Sequence, residues 1–380
     1  MRLHPSLIVA ALLVAAAAPP AVQTKAPPPP SPSQAKVETV ARGLVHPWGL
    51  QFLPDGRLLV TEREGRVRIV EPDGKLSPPL PGLPKIAVGG QGGLMDVALA
   101  PDFASSQNVF FTFSEPRGPK RNGTSVLRAR LLLEGASGRL EDATVIFRQE
   151  PPGTGWLHFG SRLAFARDGM LFVTLGERYQ RDYAQDLTRH WGKVVRITQD
   201  GGAPPDNPFV GKPGALPEIW SYGHRNPQAA AIHPVTGKLW IVEHGAMGGD
   251  EVNVSLRGRN YGWPVITYGR DYSGAKIGIG TEKEGMEQPI YYWDPSIAPS
   301  GMAFYTGDLF PDWRDSLFVG ALAGQALHRL VLKGERIIQE EVLLRDLRER
   351  IRDVRIGPDG ALWLLTDNPK GRVLRVVPKS

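Results

Sequence analysis

An imperfect repeat restricts this chain more than any other feature. Six times between Trp48 and Leu365, a short apolar strand runs into a tight turn, often Pro-Asp-Gly, and a second strand rich in Leu, Val, Phe and Trp follows. The copies are Trp48–Val60, Asp96–Asp102 leading to Val109–Phe113, Arg162–Val173, Ala230–Val242, Gly301–Tyr305 with Ser316–Val319, and Asp353–Leu365. In such turns Gly takes the positive φ and Asp caps the bend. Several copies continue into a third strand, as in Gly65–Val70, Lys193–Ile197 and Arg372–Val376. A lone sheet of this size would leave an apolar face wet, whereas radial packing against a neighbour buries it. The repeat therefore predicts an all-β fold, a six-bladed β-propeller with four-stranded antiparallel blades. Val37 to Ala41 precede the first copy and are expected to supply the outer strand that closes the ring with the C-terminal blade.

The chain before Val37 has a different character. Arg2 is followed by an unbroken apolar run from Leu7 to Ala18 and then small residues. That is the pattern of a secretory signal peptide, too short for a comfortable membrane span. Residues 1–22 are assigned to the signal peptide, 23–36 to an extended, unpacked Pro-rich linker, and 37–380 to the propeller. The expected location is periplasmic or secreted, with no stable membrane insertion once the signal is removed. Cysteine is absent, which excludes disulfides, thiolate metal sites and a lipidated N-terminus. The net charge is +6, but Lys and Arg are scattered among acidic residues. Such a distribution describes a solvated surface or a basic cavity, and argues against a nucleic-acid partner.

In a propeller, the connections at one end of the central channel bring distant polar residues together. Gln91 stands among glycines in Gly89–Gly93, His158 at the start of the third unit, and Glu177 at the end of its second strand. Each has a plainer reading: a flexible loop, a structural histidine, a surface turn. Together, a carboxylate on one imidazole nitrogen would fix the tautomer and raise the basicity of the other. His224, Arg225 and Asn226 form a polar cluster ahead of the fourth unit, and Glu243–Asn253 follows it. Gly with acidic residues in the latter suits a hard cation, although the spacing matches no EF-hand. Arg350 and Arg352 share one face by strand alternation. Two guanidiniums aimed at one channel repel unless an anion lies between them, which favours a carboxylate-bearing ligand.

Three motifs, Gly-His-Arg-Asn-Pro-Gln (223–228), Gly-Gly-Asp-Glu-Val-Asn (248–253) and Asn-Tyr-Gly-Trp (260–263), carry a family resemblance. His-Phe-Gly-Ser-Arg-Leu (158–163), Asp-Asn-Pro-Phe (206–209) and Arg-Ile-Arg-Asp-Val (350–354) add to it. In these motifs, over essentially all of Val37 to Val377, the chain resembles the glucose/sorbosone dehydrogenase family. The resemblance is to its soluble aldose sugar dehydrogenases, which use pyrroloquinoline quinone (PQQ). It implies oxidation of an aldose sugar at C1 to a lactone, with an external electron acceptor. By the same resemblance His158 is the general base, Glu177 its acidic partner, and Arg225 the group that stabilises charge on the quinone oxygen. Gln91, Asn226, Arg350 and Arg352 match cofactor-holding positions. The carbonyls of Gly245 and Ala246 match the catalytic calcium (Ca2+) site, and Glu251 with Tyr261 a second, structural one. Two departures from the family pattern are Ala323, where a Lys often follows Leu, and Leu157, where one subgroup has an acid. The long insertion after unit four that glucose dehydrogenases proper carry is absent, which favours the aldose branch. Two rival readings stay open. One is a propeller lactonase with hub calcium, which would want carboxylate ligands and have no use for Arg225. The other is a non-catalytic exported propeller that binds a glycan or a protein.

Overall fold

Each copy of the repeat becomes one antiparallel sheet. A computed structural model describes residues 22–379, so the expected signal peptide, apart from Val22, lies outside the described residues. The inner strands of blades 1 to 6 are Pro47–Phe52, Leu94–Leu99, Gly160–Phe165, Pro227–Ile232, Pro299–Phe304 and Ile351–Ile356. Each packs beside the next, and the sixth returns to the first, so the ring is closed. Five blades have four strands; in blade 1 the fourth position is taken by an irregular segment, in which Ser77 and Leu80 donate to Ile69 and Val67.

The second strands read as continuous apolar runs because both of their faces are buried. In Asn108–Pro116, Val109, Phe111 and Phe113 pack towards blade 1 while Phe110 packs towards blade 3. In Leu239–Glu243, Trp240 and Val242 face blade 5 while Leu239 and Ile241 face blade 3. Six apolar clusters result, one between each pair of neighbouring blades.

Ring closure follows the expectation and extends it. Strand Ala35–Leu44 pairs antiparallel with Gly371–Pro378, the third strand of blade 6. The segment ahead of it corrects the expectation of an unpacked linker. Gln23 bridges Tyr291 on the outer strand of blade 4, and Pro27 accepts a hydrogen bond from Glu340 N–H in blade 5. Ser33 then donates to the Glu341 carboxylate through both its N–H and its hydroxyl, at 2.5 and 2.6 Å. Proline removes donors but leaves carbonyls and a stiff extended backbone, which suits a strap laid over strand edges.

A buried charge network plugs the channel. Arg162 donates to Asp96 at 3.0 Å and Asp353 at 2.8 Å, and Arg355 donates to the same two carboxylates at 3.0 Å each. Blades 2, 3 and 6 are thereby joined at the axis. Gly301 makes room for the network on blade 5, since a Cβ there would lie 2.5 Å from the Asp353 carboxylate.

Candidate functional site

At one end of the channel the residues that start the first strands and follow the second strands converge. They enclose a cavity of about 250 Å3 whose wall includes Trp48, Arg63, Gln91, His244, Arg350 and Arg352. A neighbouring cleft of about 260 Å3 includes Glu177, Arg225, Ala246 and Trp263.

His158 and Glu177 do come together. Glu177 Oε2 lies 2.8 Å from His158 Nδ1, with both side chains buried. A carboxylate only accepts, so Nδ1 carries the proton and Nε2 is left as the basic nitrogen. Burial pushes the His158 pKa below its ordinary value; Glu177 opposes this, and Arg225 and Arg178 reinforce it. The backbone around the pair is unusual, since His158, Arg178 and Tyr179 have φ of +53, +60 and +62 without being glycine. Such residues persist only where the surroundings over-determine them. Here His158 N–H donates to Gln91 Oε1 at 2.8 Å, and Glu177 N–H donates to the Arg225 carbonyl at 3.0 Å. The Arg178 guanidinium, pushed down to about 9 by burial, lies 3.5 Å from the Phe159 ring centre.

The glycines around Gln91 serve the chain itself. A Cβ on Gly89 would meet Trp156 at 2.9 Å and one on Gly92 would meet Phe159 at 2.6 Å. Gln91 N–H is fixed to the Trp156 carbonyl at 2.9 Å. The loop is a packed platform that aims Gln91, and the reading of it as flexible is set aside.

Pro227 opens the fourth inner strand. Arg225 Nη1 donates to the carbonyls of His244 and Gly245. Asn226 is fully buried; its Oδ1 accepts from Gly160 N–H at 3.1 Å, and its Nδ2 has no partner. His224 is structural, held between Glu243 at 2.9 Å and Ser221 at 2.8 Å and stacked on Tyr261.

Arg350 and Arg352 are brought together, but the anion between them belongs to the protein. Asp367 Oδ2 accepts from Nη2 of each at 3.1 Å, and Oδ1 lies 2.9 Å from His46 Nδ1. Burial would raise the Asp367 carboxyl, but Arg352, His46 and Arg350 hold it well below the usual range. Asp367 thus supplies the anion that was expected to come from a carboxylate-bearing ligand. Arg352 Nε remains buried without a partner, as does Arg225 Nε.

Glu251 and Tyr261 line one small recess with Glu243 and Gly245. Glu251 faces Glu243 across neighbouring strands, and Asn253 Nδ2 donates to both carboxylates at 3.1 Å. Burial, then Glu243, pushes the Glu251 carboxyl up to about 8. The Tyr261 hydroxyl is engaged with backbone, donating to Val254 O and accepting from Leu256 N–H. Among the described residues, no cluster of three His, Cys, Asp or Glu side chains is arranged to hold a metal.

Sequence reasoning missed Arg63, His244 and Asp367. All three follow the second strand of their blade, the position Glu177 approaches in blade 3, so the repeat held the signal. His244 is half-buried, donates Nε2–H to Pro299 O at 2.7 Å, and has its pKa pushed down to about 3, chiefly by desolvation of the ring. Ala323 is exposed while Leu322 lines the cavity, and Arg63 supplies a cation on that wall.

The family model for glucose/sorbosone dehydrogenases matches residues 44–375. Aldose sugar dehydrogenase YliI of Escherichia coli is 45% identical over 353 residues, which cover 92% of this chain and 95% of that protein. A crystal structure of a glucose dehydrogenase superposes with a TM-score of 0.88 at 52% identity, covering 91% of this chain and all of the other. The PQQ-bound aldose sugar dehydrogenase of Streptomyces coelicolor superposes with a TM-score of 0.75 at 32% identity, covering 91% and 99%. The chain belongs to the glucose/sorbosone dehydrogenase family.

Proposed function

We propose that this protein oxidises aldose sugars at C1 to lactones, using PQQ and calcium and passing the electrons to an external acceptor. The observation that carries the reading is the buried His158–Glu177 pair beside Arg225. It is a neutral base with a fixed tautomer next to a fixed positive charge.

The residues fit the cofactor, a flat quinone rich in carboxylates. Arg225 Nε and Arg352 Nε are buried donors without acceptors, and Arg63, Gln91 and Arg350 share the adjoining wall. Buried unpaired donors are costly, and an acceptor-rich ligand would satisfy them. They fit calcium too. The Gly245 carbonyl already points at positive charge, that of Arg225, and Ala246 is next to it. The facing Glu243 and Glu251 would favour a second cation, with Tyr261 lining the same recess. When bound, the quinone would accept hydride from C1 and calcium would polarise it as a Lewis acid.

His158 Nε2 takes the proton from the anomeric hydroxyl, and Glu177 stabilises the imidazolium that forms. Arg225 holds positive charge where negative charge develops, without reorganisation during the step. Gln91 keeps His158 in place through its backbone. The lactonase alternative needs free carboxylates in the channel, whereas Asp96, Asp353 and Asp367 are each paired with arginine.

The test is reconstitution of purified protein with calcium and PQQ, followed by dye reduction with several aldoses. Turnover and retained quinone absorbance are expected. No turnover with any aldose, with no quinone bound, defeats the reading.

A further inference from the structure

Arg178 follows Glu177 and has no step of its own in the proton transfer, yet its side chain is only 2% exposed. It sits in one of two left-handed turns of blade 3 that pack backbone on backbone. His158 has φ +53 and Arg178 φ +60, and a Cβ on Gly176 would overlap the His158 carbonyl.

From its turn the Arg178 guanidinium reaches out of blade 3. Nη2 donates to Asn122 Oδ1 at 2.5 Å and to the Gly155 carbonyl, and the group lies over the Phe159 ring. Asn122 begins the third strand of blade 2, and its N–H and carbonyl both pair with Gly153 at 2.8 Å. Thr124 in the same strand donates its hydroxyl to the Phe159 carbonyl at 3.0 Å. One side chain thus grips blade 2, the segment leading into blade 3 and the residue after His158.

The charge it carries there is not compensated. Arg178 forms no ion pair among the described residues; the carboxylate that acts on it is Glu177, whose Oε2 is already taken by His158 Nδ1 and Tyr179 N–H. Arg178 Nε and Nη1 are buried without acceptors, and Asn122 Nδ2 likewise has no partner. A guanidinium keeps its proton at neutral pH even so. A buried charge without a counter-ion acts strongly on its neighbours. Around the His158 ring, Glu177 favours the imidazolium while Arg225 and Arg178 oppose it; Tyr179 stands edge-on, and His244 is a second imidazole at the hub.

We propose that Arg178 is a positioning residue for the base. It staples the turns that carry His158 and Glu177 to blade 2, and its uncompensated charge keeps the imidazole ready to accept a proton. The inference rests on the reading of His158 as that base.

The test follows the His158 titration by NMR of the full mature chain with isotope-labelled histidine, the signal being assigned by its absence in His158→Ala. Wild type is compared with Arg178→Gln, Arg178→Lys and Asn122→Asp. Arg178→Gln removes the charge and retains an amide donor. Asn122→Asp keeps the guanidinium and its acceptor but sets a carboxylate beside it, and Nδ2 has no partner to lose. The His158 midpoint is expected to rise by about one pH unit in both, the size a nearby charge produces, and to keep its wild-type value in Arg178→Lys. In protein reconstituted with calcium and PQQ, the acid limb of kcat/KM should move the same way. On the plateau above it Arg178→Gln should lose about tenfold, because loosened turns misplace Nε2. A merely structural role lowers stability and leaves the midpoint where it is. An unchanged midpoint in either folded variant overturns the proposal, so if one misfolds the other decides. An unchanged plateau, or a rise in Arg178→Lys as large as in Arg178→Gln, overturns it too. If the midpoint moves as expected while no protein, wild type included, oxidises any aldose, the role of Arg178 at His158 stands and the C1-oxidation reading falls.

Discussion

Glu177 Oε2 accepts the Nδ1 proton of His158 at 2.8 Å and also the N–H of Tyr179, so one oxygen sets both the tautomer of the base and the course of the loop beside it. Replacing Glu177 by Gln offers an amide that donates as readily as it accepts, and the Nδ1–H tautomer is no longer enforced. Aldose kcat/KM is expected to fall by about a hundredfold, as for losses of residues that orient a histidine. Steady-state kinetics beside a thermal melt would check that the loss exceeds any change in stability.

The pH dependence has a definite sign. Burial lowers the His158 pKa from 6.5, so the imidazole is neutral and basic throughout the neutral range. The rate should therefore be flat there and fall only in acid, with the midpoint of kcat/KM below 6.5. Glu177 opposes the lowering, so in Glu177→Gln the midpoint moves further into acid. A pH–rate profile of both proteins checks the order.

Arg162 sits between Asp96 and Asp353 at the axis. Arg162→Met would leave the two buried carboxylates sharing Arg355 alone. Breaking a buried ion pair by removing one partner costs about 3–5 kcal/mol. Equilibrium unfolding in urea should show a loss of that size.

Lys193 is buried, and its ammonium donates to three carbonyls, those of Tyr183, Ala184 and Trp191, at 2.7 to 3.0 Å. Burial pushes its pKa down to about 7, yet all three donors are satisfied. Lys193→Met strands those carbonyls and should destabilise the protein by about 2–3 kcal/mol. Hydrogen exchange should rise first at residues 181–185, the short helix those carbonyls anchor.

The fold was legible because its repeat is physical: strands buried on both faces, Gly at the bends, and no way to cover either face except with another blade. The His158–Glu177 pairing was legible for the same reason, since both residues sit at equivalent ends of strands in one blade. The N-terminal strap was not. Proline-rich composition reports an extended backbone, and whether that backbone packs depends on Tyr291, Glu340 and Glu341, roughly 265 to 310 residues away. The arginine pair misled in a similar way, because its counter-charge Asp367 lies at the far end of the next strand and only the blade's register brings it back. Arg63 and His244 went unnoticed although they occupy a position the repeat had already marked.

The central claim is that His158 does the proton chemistry beside a quinone held by the arginine wall. The measurement that tests it most directly pairs wild type with His158→Ala, each reconstituted with calcium and PQQ. Quinone binding is followed by absorbance and turnover by aldose-driven dye reduction. The account predicts that the variant binds quinone with an affinity within about threefold of wild type while turnover falls by about 10²–10⁴, the range general-base catalysis supplies. A variant that keeps wild-type turnover would contradict it.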